Sequence, residues 1–167
     1  MPDVVTLQPS PPGGEDVADA SALRLDTRFL ESLIGYNARR AALAIIGHVL
    51  QRLAPFGLRV VDFSVLTVIA HNPGVTSRQV CAALDILPPN LVGLVRALER
   101  RGLVEKRGHP TDRRAQGLYV TPQGAEVQAQ AQAQVGALEI SDLTHLDAGE
   151  RATLIRLLRK VYLGPDA

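Results

Sequence analysis

Residues 76–120 read TSRQVCAALDILPPNLVGLVRALERRGLVEKRGHPTDRRAQGLYV, and this stretch decides the fold. It opens with Thr76-Ser-Arg-Gln79, the spacing of a capping box, in which the Thr hydroxyl and the Gln side chain satisfy each other's exposed backbone donors. That predicts a short helix ending near Leu84. Pro88-Pro89 fits the first turn of a second helix, where the missing N–H groups would have no helical acceptor. From there to about Arg101, Leu91, Leu94, Val95 and Leu98 keep helical spacing and predict an inward face; Gly102 is placed to end the helix. Two short strands are expected at 103–107 and 117–120, with a loop rich in glycine, proline and charge between them at 108–116.

Upstream, residues 62–71 carry Phe63, Leu66, Val68 and Ile69 at helical spacing, and Asn72-Pro73-Gly74 ends that helix as a turn. From Asp26 to Ala54 a longer stripe runs through Leu30, Ile34, Ala38, Ala41, Ile45 and Val49, widened by Phe29, Leu33 and Tyr36. Asp26 is placed to accept the free N–H groups of its first turn. A single helix of roughly 28 residues would be about 42 Å long. One small domain does not need that length, so part of it is expected to meet a partner chain. Residues 1–22 combine Pro2, Pro9, Pro11, Pro12, Gly13 and Gly14 with acids and no periodic apolar face, and read as a disordered tail. Downstream, Thr121-Pro122 restarts helix through the alanine/glutamine run at 126–135, and a last helix is expected at 148–162.

The composition excludes several classes. The chain has 167 residues, 46 % apolar and 21 % charged, with a net charge of +1; that is an ordinary globular balance. The longest apolar stretch, Ala41 to Gly47, is too short to cross a bilayer, and no basic region followed by an apolar run marks a secretory signal. Cys81 is the one cysteine, which excludes an internal disulfide and fits a reducing compartment. A cytoplasmic protein with no membrane partner is expected. His48, His71, His109 and His145 stand far apart, so no metal site is argued, and no nucleophile–base or paired-carboxylate constellation points to an enzyme.

The balanced total hides a local asymmetry. Between Arg96 and Arg114 stand Arg96, Arg100, Arg101, Lys106, Arg107, Arg113 and Arg114 against Glu99, Glu105 and Asp112, a net +4. A bare charge run of this kind is more often a solvated face. Its setting favours DNA, because helix, turn, helix and a hairpin with a basic tip are the layout of a winged helix-turn-helix. The 89–101 helix would enter the major groove, and the tip would reach phosphates or the adjacent minor groove.

Leu98-Glu-Arg-Arg-Gly-Leu-Val-Glu-Lys-Arg107, then Pro110-Thr-Asp-Arg-Arg-Ala115, then Val120-Thr-Pro-Gln-Gly124 resemble the MarR (multiple-antibiotic-resistance regulator) family of bacterial transcription factors. The family pattern is a recognition helix ending in Leu-Glu-x-x-Gly-Leu-Val, a wing with Asp-Arg-Arg, and a Leu-Thr-x-x-Gly helix start. Val120 stands where leucine is usual. Leu87-Pro-Pro-Asn-Leu-Val-Gly93 opens the recognition helix where the family more often has several Ser, Thr or Gln. The resemblance implies a mainly α fold, with a two-stranded β wing and long N- and C-terminal dimerisation helices. Residues 23–167 would form one domain, with 23–56 and 122–167 as dimerisation helices and 57–121 as the winged helix-turn-helix. It implies a homodimer that binds a pseudo-palindromic operator on double-stranded DNA as a repressor, and is released by a small-molecule effector. Family habit points to an aromatic carboxylate or its acyl-CoA as effector, with no cofactor.

By the same resemblance, Arg113 or Arg114 enters the minor groove while Asp112 braces a wing arginine. Asn90 could bond an adenine edge bidentately, or serve as a plain helix-entry residue. Gly93 costs helix stability, roughly 1 kcal/mol against Ala; close approach of DNA or loose helix packing would explain it. Arg78 and Arg96 are expected phosphate contacts, with solvated surface as the alternative. Tyr36 and Arg40 are four apart and could meet one carboxylate or phenolate, with Arg39 and His48 nearby; dimer packing and surface arginines explain the same residues. Cys81, mid-helix among Val80, Ala82, Ala83 and Leu84, reads as a packing residue; the alternative, a cysteine redox switch, would need a basic or polar neighbourhood that lowers the thiol pKa. A winged-helix module for protein partners is the remaining alternative.

Overall fold

The computed structural model describes residues 25–108, 116–141 and 146–163, and its chain divides into two units after Ala38. In the first unit, a single turn, α1 (Arg28–Glu31), precedes the start of α2 (Ile34–Leu53). The unbroken helix expected from Asp26 to Ala54 is therefore two helices. Polar side chains take the backbone acceptors at the break: Ser32 Oγ donates to the Phe29 carbonyl at 2.7 Å, and Asn37 Nδ2 donates to the carbonyls of Glu31 (2.7 Å) and Leu33 (2.8 Å). Such bonds compete with helical continuation. Asp26 accepts the Arg28 N–H at 3.1 Å, the role its position predicts.

The second unit holds the rest of α2, a 3₁₀ turn at Ala54–Phe56, α3 (Val60–His71), β1 (Val75–Thr76), α4 (Ser77–Leu84), α5 (Pro88–Arg100), β2 (Val104–Gly108), β3 (Gln116–Val120), α6 (Pro122–Ser141) and α7 (Ala148–Leu163). Its core is Leu53, Leu58, Val65, Leu66, Ile69, Val80, Leu91, Leu94, Val95, Leu98, Leu103, Val104, Leu118 and Ala131. All four residues expected on the inner face of α5 are in it. Ala131 is fully buried, so the alanine/glutamine run is a packed helix: its small side chains allow α6 to lie against α3. Cys81 is half-buried against the same core, as a packing residue should be.

The hairpin β2–β3 pairs antiparallel, Val104 opposite Val120 and Gly108 opposite Gln116. One strand was not legible in the sequence. Val75 and Thr76 pair with Leu118 and Gly117, which makes a three-stranded sheet in the order β1-β3-β2. Its close approach explains Gly117, since a Cβ there would stand 2.9 Å from the Gly74 backbone.

Candidate nucleic-acid interface

Two caps fix α4. Thr76 Oγ1 accepts the Gln79 N–H at 3.3 Å, while Gln79 Oε1 accepts the Thr76 N–H at 2.9 Å, the reciprocal box predicted from the spacing. At the other end Asp85 takes a left-handed conformation, φ 50°, and turns the chain. The short polar side chain of aspartate tolerates that region better than most. The α4 and α5 axes then cross at 113°, within the range for a helix-turn-helix pair.

Pro88 and Pro89 occupy the first turn of α5, and the N–H groups of Asn90 and Leu91 both donate to the Leu87 carbonyl, at 3.0 and 3.1 Å. With Leu91, Leu94, Val95 and Leu98 buried, the opposite face presents Pro89, Gly93, Arg96 and Arg100 at i, i+4, i+7 and i+11, all exposed. A Cβ on Gly93 would meet nothing within 4 Å, so packing inside the chain does not require glycine there. Asn90 is exposed beside this face. Arg78, Arg96 and Arg100 make no hydrogen bond or ion pair among the described residues.

The remaining basic residues of the cluster are mostly engaged. Arg101 Nη1 and Nη2 donate to the carbonyls of Gly57 (2.9 Å) and Phe56 (2.6 Å), 44 and 45 residues away in sequence. Lys106 pairs with Glu99 at 2.8 Å. Arg107 pairs with Glu105 and lies over the Tyr119 ring, 5.1 Å from its centroid. Of the charges summed in the sequence, the described free ones are Arg96 and Arg100. Asp112, Arg113 and Arg114 lie outside the described residues.

The junction after α5 gives the Gly-Leu-Val and Thr-x-x-Gly motifs a structural meaning. Gly102 is left-handed, φ 67°, a conformation glycine adopts without strain. The Thr121 hydroxyl donates to the Gly102 carbonyl at 2.5 Å and accepts the Gly124 N–H at 2.9 Å, and the Thr121 N–H donates to the Leu103 carbonyl at 3.1 Å. A Cβ on Gly124 would stand 1.9 Å from that carbonyl oxygen, so α6 can start here with glycine alone.

A second device went unread in the sequence. Arg59 and Asp62 close the start of α3 from one side: Asp62 accepts the Arg59 N–H at 3.1 Å and its guanidinium at 2.8 and 2.9 Å. Burial pushes the Asp62 carboxyl up, but the hydrogen bonds from Arg59, with the charges of Arg59 and Arg101, outweigh it and hold it below its usual range. Arg59 at i and Asp62 at i+3 before an apolar run was the available signal.

Tyr36, Arg39, Arg40 and His48 all lie on α2, Tyr36 half-buried and the other three exposed. No group of His, Cys, Asp and Glu among the described residues could hold a metal ion. No single described helix is long and apolar enough to cross a membrane.

The profile of the MarR family matches residues 56–115. The chain is 31 % identical over 130 residues to a protein described as a candidate transcriptional regulator for the hcr operon of Thauera aromatica, covering 77 % of this chain and 78 % of that one. Among solved structures, the transcriptional repressor CouR bound to a 23-mer DNA duplex is 32 % identical with a TM-score of 0.76, over 83 % of this chain and 99 % of that one. CouR from Rhodococcus jostii RHA1 bound to p-coumaroyl-CoA is 33 % identical with a TM-score of 0.71, over 79 % of this chain and 93 % of that one. With its helix-turn-helix, its wing and its glycine-tight junction, this chain belongs to the MarR family of transcriptional regulators.

Proposed function

We propose that the chain is a cytoplasmic, ligand-responsive repressor, a binding protein with no catalytic role, that holds a pseudo-palindromic operator as a homodimer. The observation that carries this reading is the outer face of α5, where Arg96 and Arg100, with no partner among the described residues, follow the exposed Asn90, Val92 and Gly93 of a helix set at 113° to its predecessor. Guanidiniums without protein partners neutralise phosphates and release counterions. The likeness to a repressor bound to a DNA duplex supports it. In this reading Arg78 and Arg96 contact phosphates, Asn90 meets a base edge, and Gly93 lets the duplex come close. Arg113 and Arg114, braced by Asp112, serve the wing.

A second copy is the expected cover for α7, which buries none of its residues and leaves Ile155, Leu158, Val161 and Tyr162 exposed. Monomeric proteins rarely expose so continuous an apolar face. For the effector, Arg39 and Arg40 supply cations suited to a carboxylate or a coenzyme A phosphate, with Tyr36 and His48 on the same helix. The p-coumaroyl-CoA complex of a relative supports that class.

The test is a gel-shift series on the intergenic region beside the gene, over a range of salt. Arg96→Ala, and separately Arg113→Ala with Arg114→Ala, should weaken binding several-fold and lower the salt slope by about one per lost contact. Inserting about five base pairs between half-sites centred about 10 base pairs apart should bring binding toward the non-specific level. Unchanged affinity and slope in all variants would overturn the reading.

A further inference from the structure

We propose that the recognition helix reads DNA chiefly through thymine methyl groups, using Leu87, Pro89 and Val92 as an apolar reading edge. The inference rests on the DNA-binding reading above and adds how sequence is discriminated. From Pro88 to Val95 the single polar side chain is Asn90. Leu87 is 69 % exposed and Val92 47 %, although both stand in the turn and first half of a helix whose inner face is otherwise packed. Pro89 is exposed beside them, and the space over Gly93 is open.

The backbone narrows the choice further. A helix N-terminus ordinarily offers free N–H groups to a phosphate or an acceptor. Here Pro88 and Pro89 have no N–H, and those of Asn90 and Leu91 are already bonded to the Leu87 carbonyl. This tip therefore lacks the donors that usually anchor it, and beyond Asn90 it has no side-chain donor either. In the major groove, the apolar mark on a base pair is the thymine C5 methyl.

Charge selects nucleic acid as the occupant of this edge. Arg96 stands four residues beyond Val92 with Arg100 a turn further on, and Arg78 is on the neighbouring helix; none has an ion-pair partner among the described residues. The cations would position the duplex and the apolar edge would sort it. Thymine-rich steps should be favoured in each half-site, at the bases facing the first turn of α5.

The experiment uses the full-length protein and a duplex it selects from a random pool. Each thymine is replaced in turn by deoxyuridine, which removes one methyl and leaves every hydrogen-bonding group in place. At the read positions affinity should fall about four-fold per methyl, the effect of burying one such group, and about sixteen-fold when both half-sites are changed. Val92→Ala and Leu87→Ala, both at exposed positions, should lower affinity for the thymine duplex and shrink the thymine-to-uracil ratio toward one. Equal binding of all uracil duplexes, or a ratio that neither variant alters, would overturn methyl reading while leaving DNA binding intact. If no duplex is enriched, the DNA-binding reading fails and this inference fails with it.

Discussion

At its C-terminal end α5 runs into a bonded junction: Arg101 holds the carbonyls of Phe56 and Gly57, and the Thr121 hydroxyl joins Gly102 to Gly124. At its N-terminal end the same helix leaves Asn90, Val92 and Gly93 exposed, and Arg96 has no partner among the described residues. Arg96 and Arg101 are five residues apart and identical in charge, yet one belongs to the scaffold and the other to the surface on offer. Charge counted along a sequence treats the two alike. The difference is made by neighbours brought from 44 and 45 residues away.

The contrast is broken hardest at Gly124. Gly124→Ala forces a methyl against the Leu103 carbonyl and should destabilise the fold by about 3 kcal/mol or more, a melting-point loss of roughly 10 °C. Gly93→Ala, on the open side of α5, should instead raise stability by roughly 1 kcal/mol through helix propensity. Thermal circular dichroism on both variants checks the pair, and a well-folded Gly124→Ala would refute the junction.

Asp62→Asn is the next largest. It weakens the buried cap of α3 and should cost about 1–2 kcal/mol near neutral pH. Because the folded carboxyl is held below its ordinary 3.8, its stabilisation is complete above that value and is lost as pH falls through the folded one. Denaturant melts at several pH values should show the wild type and the variant converging below about pH 3.8. A gap that stays constant with pH would show that the charge is not responsible.

The sharpest comparison has the smallest effect on stability. Arg101→Ala should lower stability by about 1 kcal/mol and leave the salt slope of DNA binding unchanged. Arg96→Ala should leave stability within about 0.5 kcal/mol and lower the slope. If both variants change the slope equally, the division between scaffold and surface arginines is wrong.

Much of this region was legible because its signals are local. The Thr76–Gln79 box, the Pro88 start, the buried face of α5 and the Gly102 stop each depend on residues within a few positions of one another. What escaped was set from a distance, or by side chains competing for backbone. Val75 and Thr76 become a strand only because β3 lies beside them. The stripe before Ala54 breaks because Ser32 and Asn37 take carbonyls that a helix would use, and apolar periodicity cannot register that. The basic cluster between Arg96 and Arg114 is a sum of charges in the sequence; the structure engages Arg101, Lys106 and Arg107 within the chain and leaves Arg96 and Arg100 without a partner among the described residues.

Val75 and Thr76 serve two structures at once. They are sheet residues paired to Leu118 and Gly117, and Thr76 is also the cap of α4. The Gly74 N–H adds a bond to the Leu118 carbonyl at 2.9 Å. Mechanically this is a rivet: the base of the wing cannot tilt without carrying the first turn of α4 with it. Amide exchange at β3 and at the start of α4 should therefore follow a single opening event. A duplex that pulled on the wing would transmit that force into the helix-turn-helix through two residues of backbone.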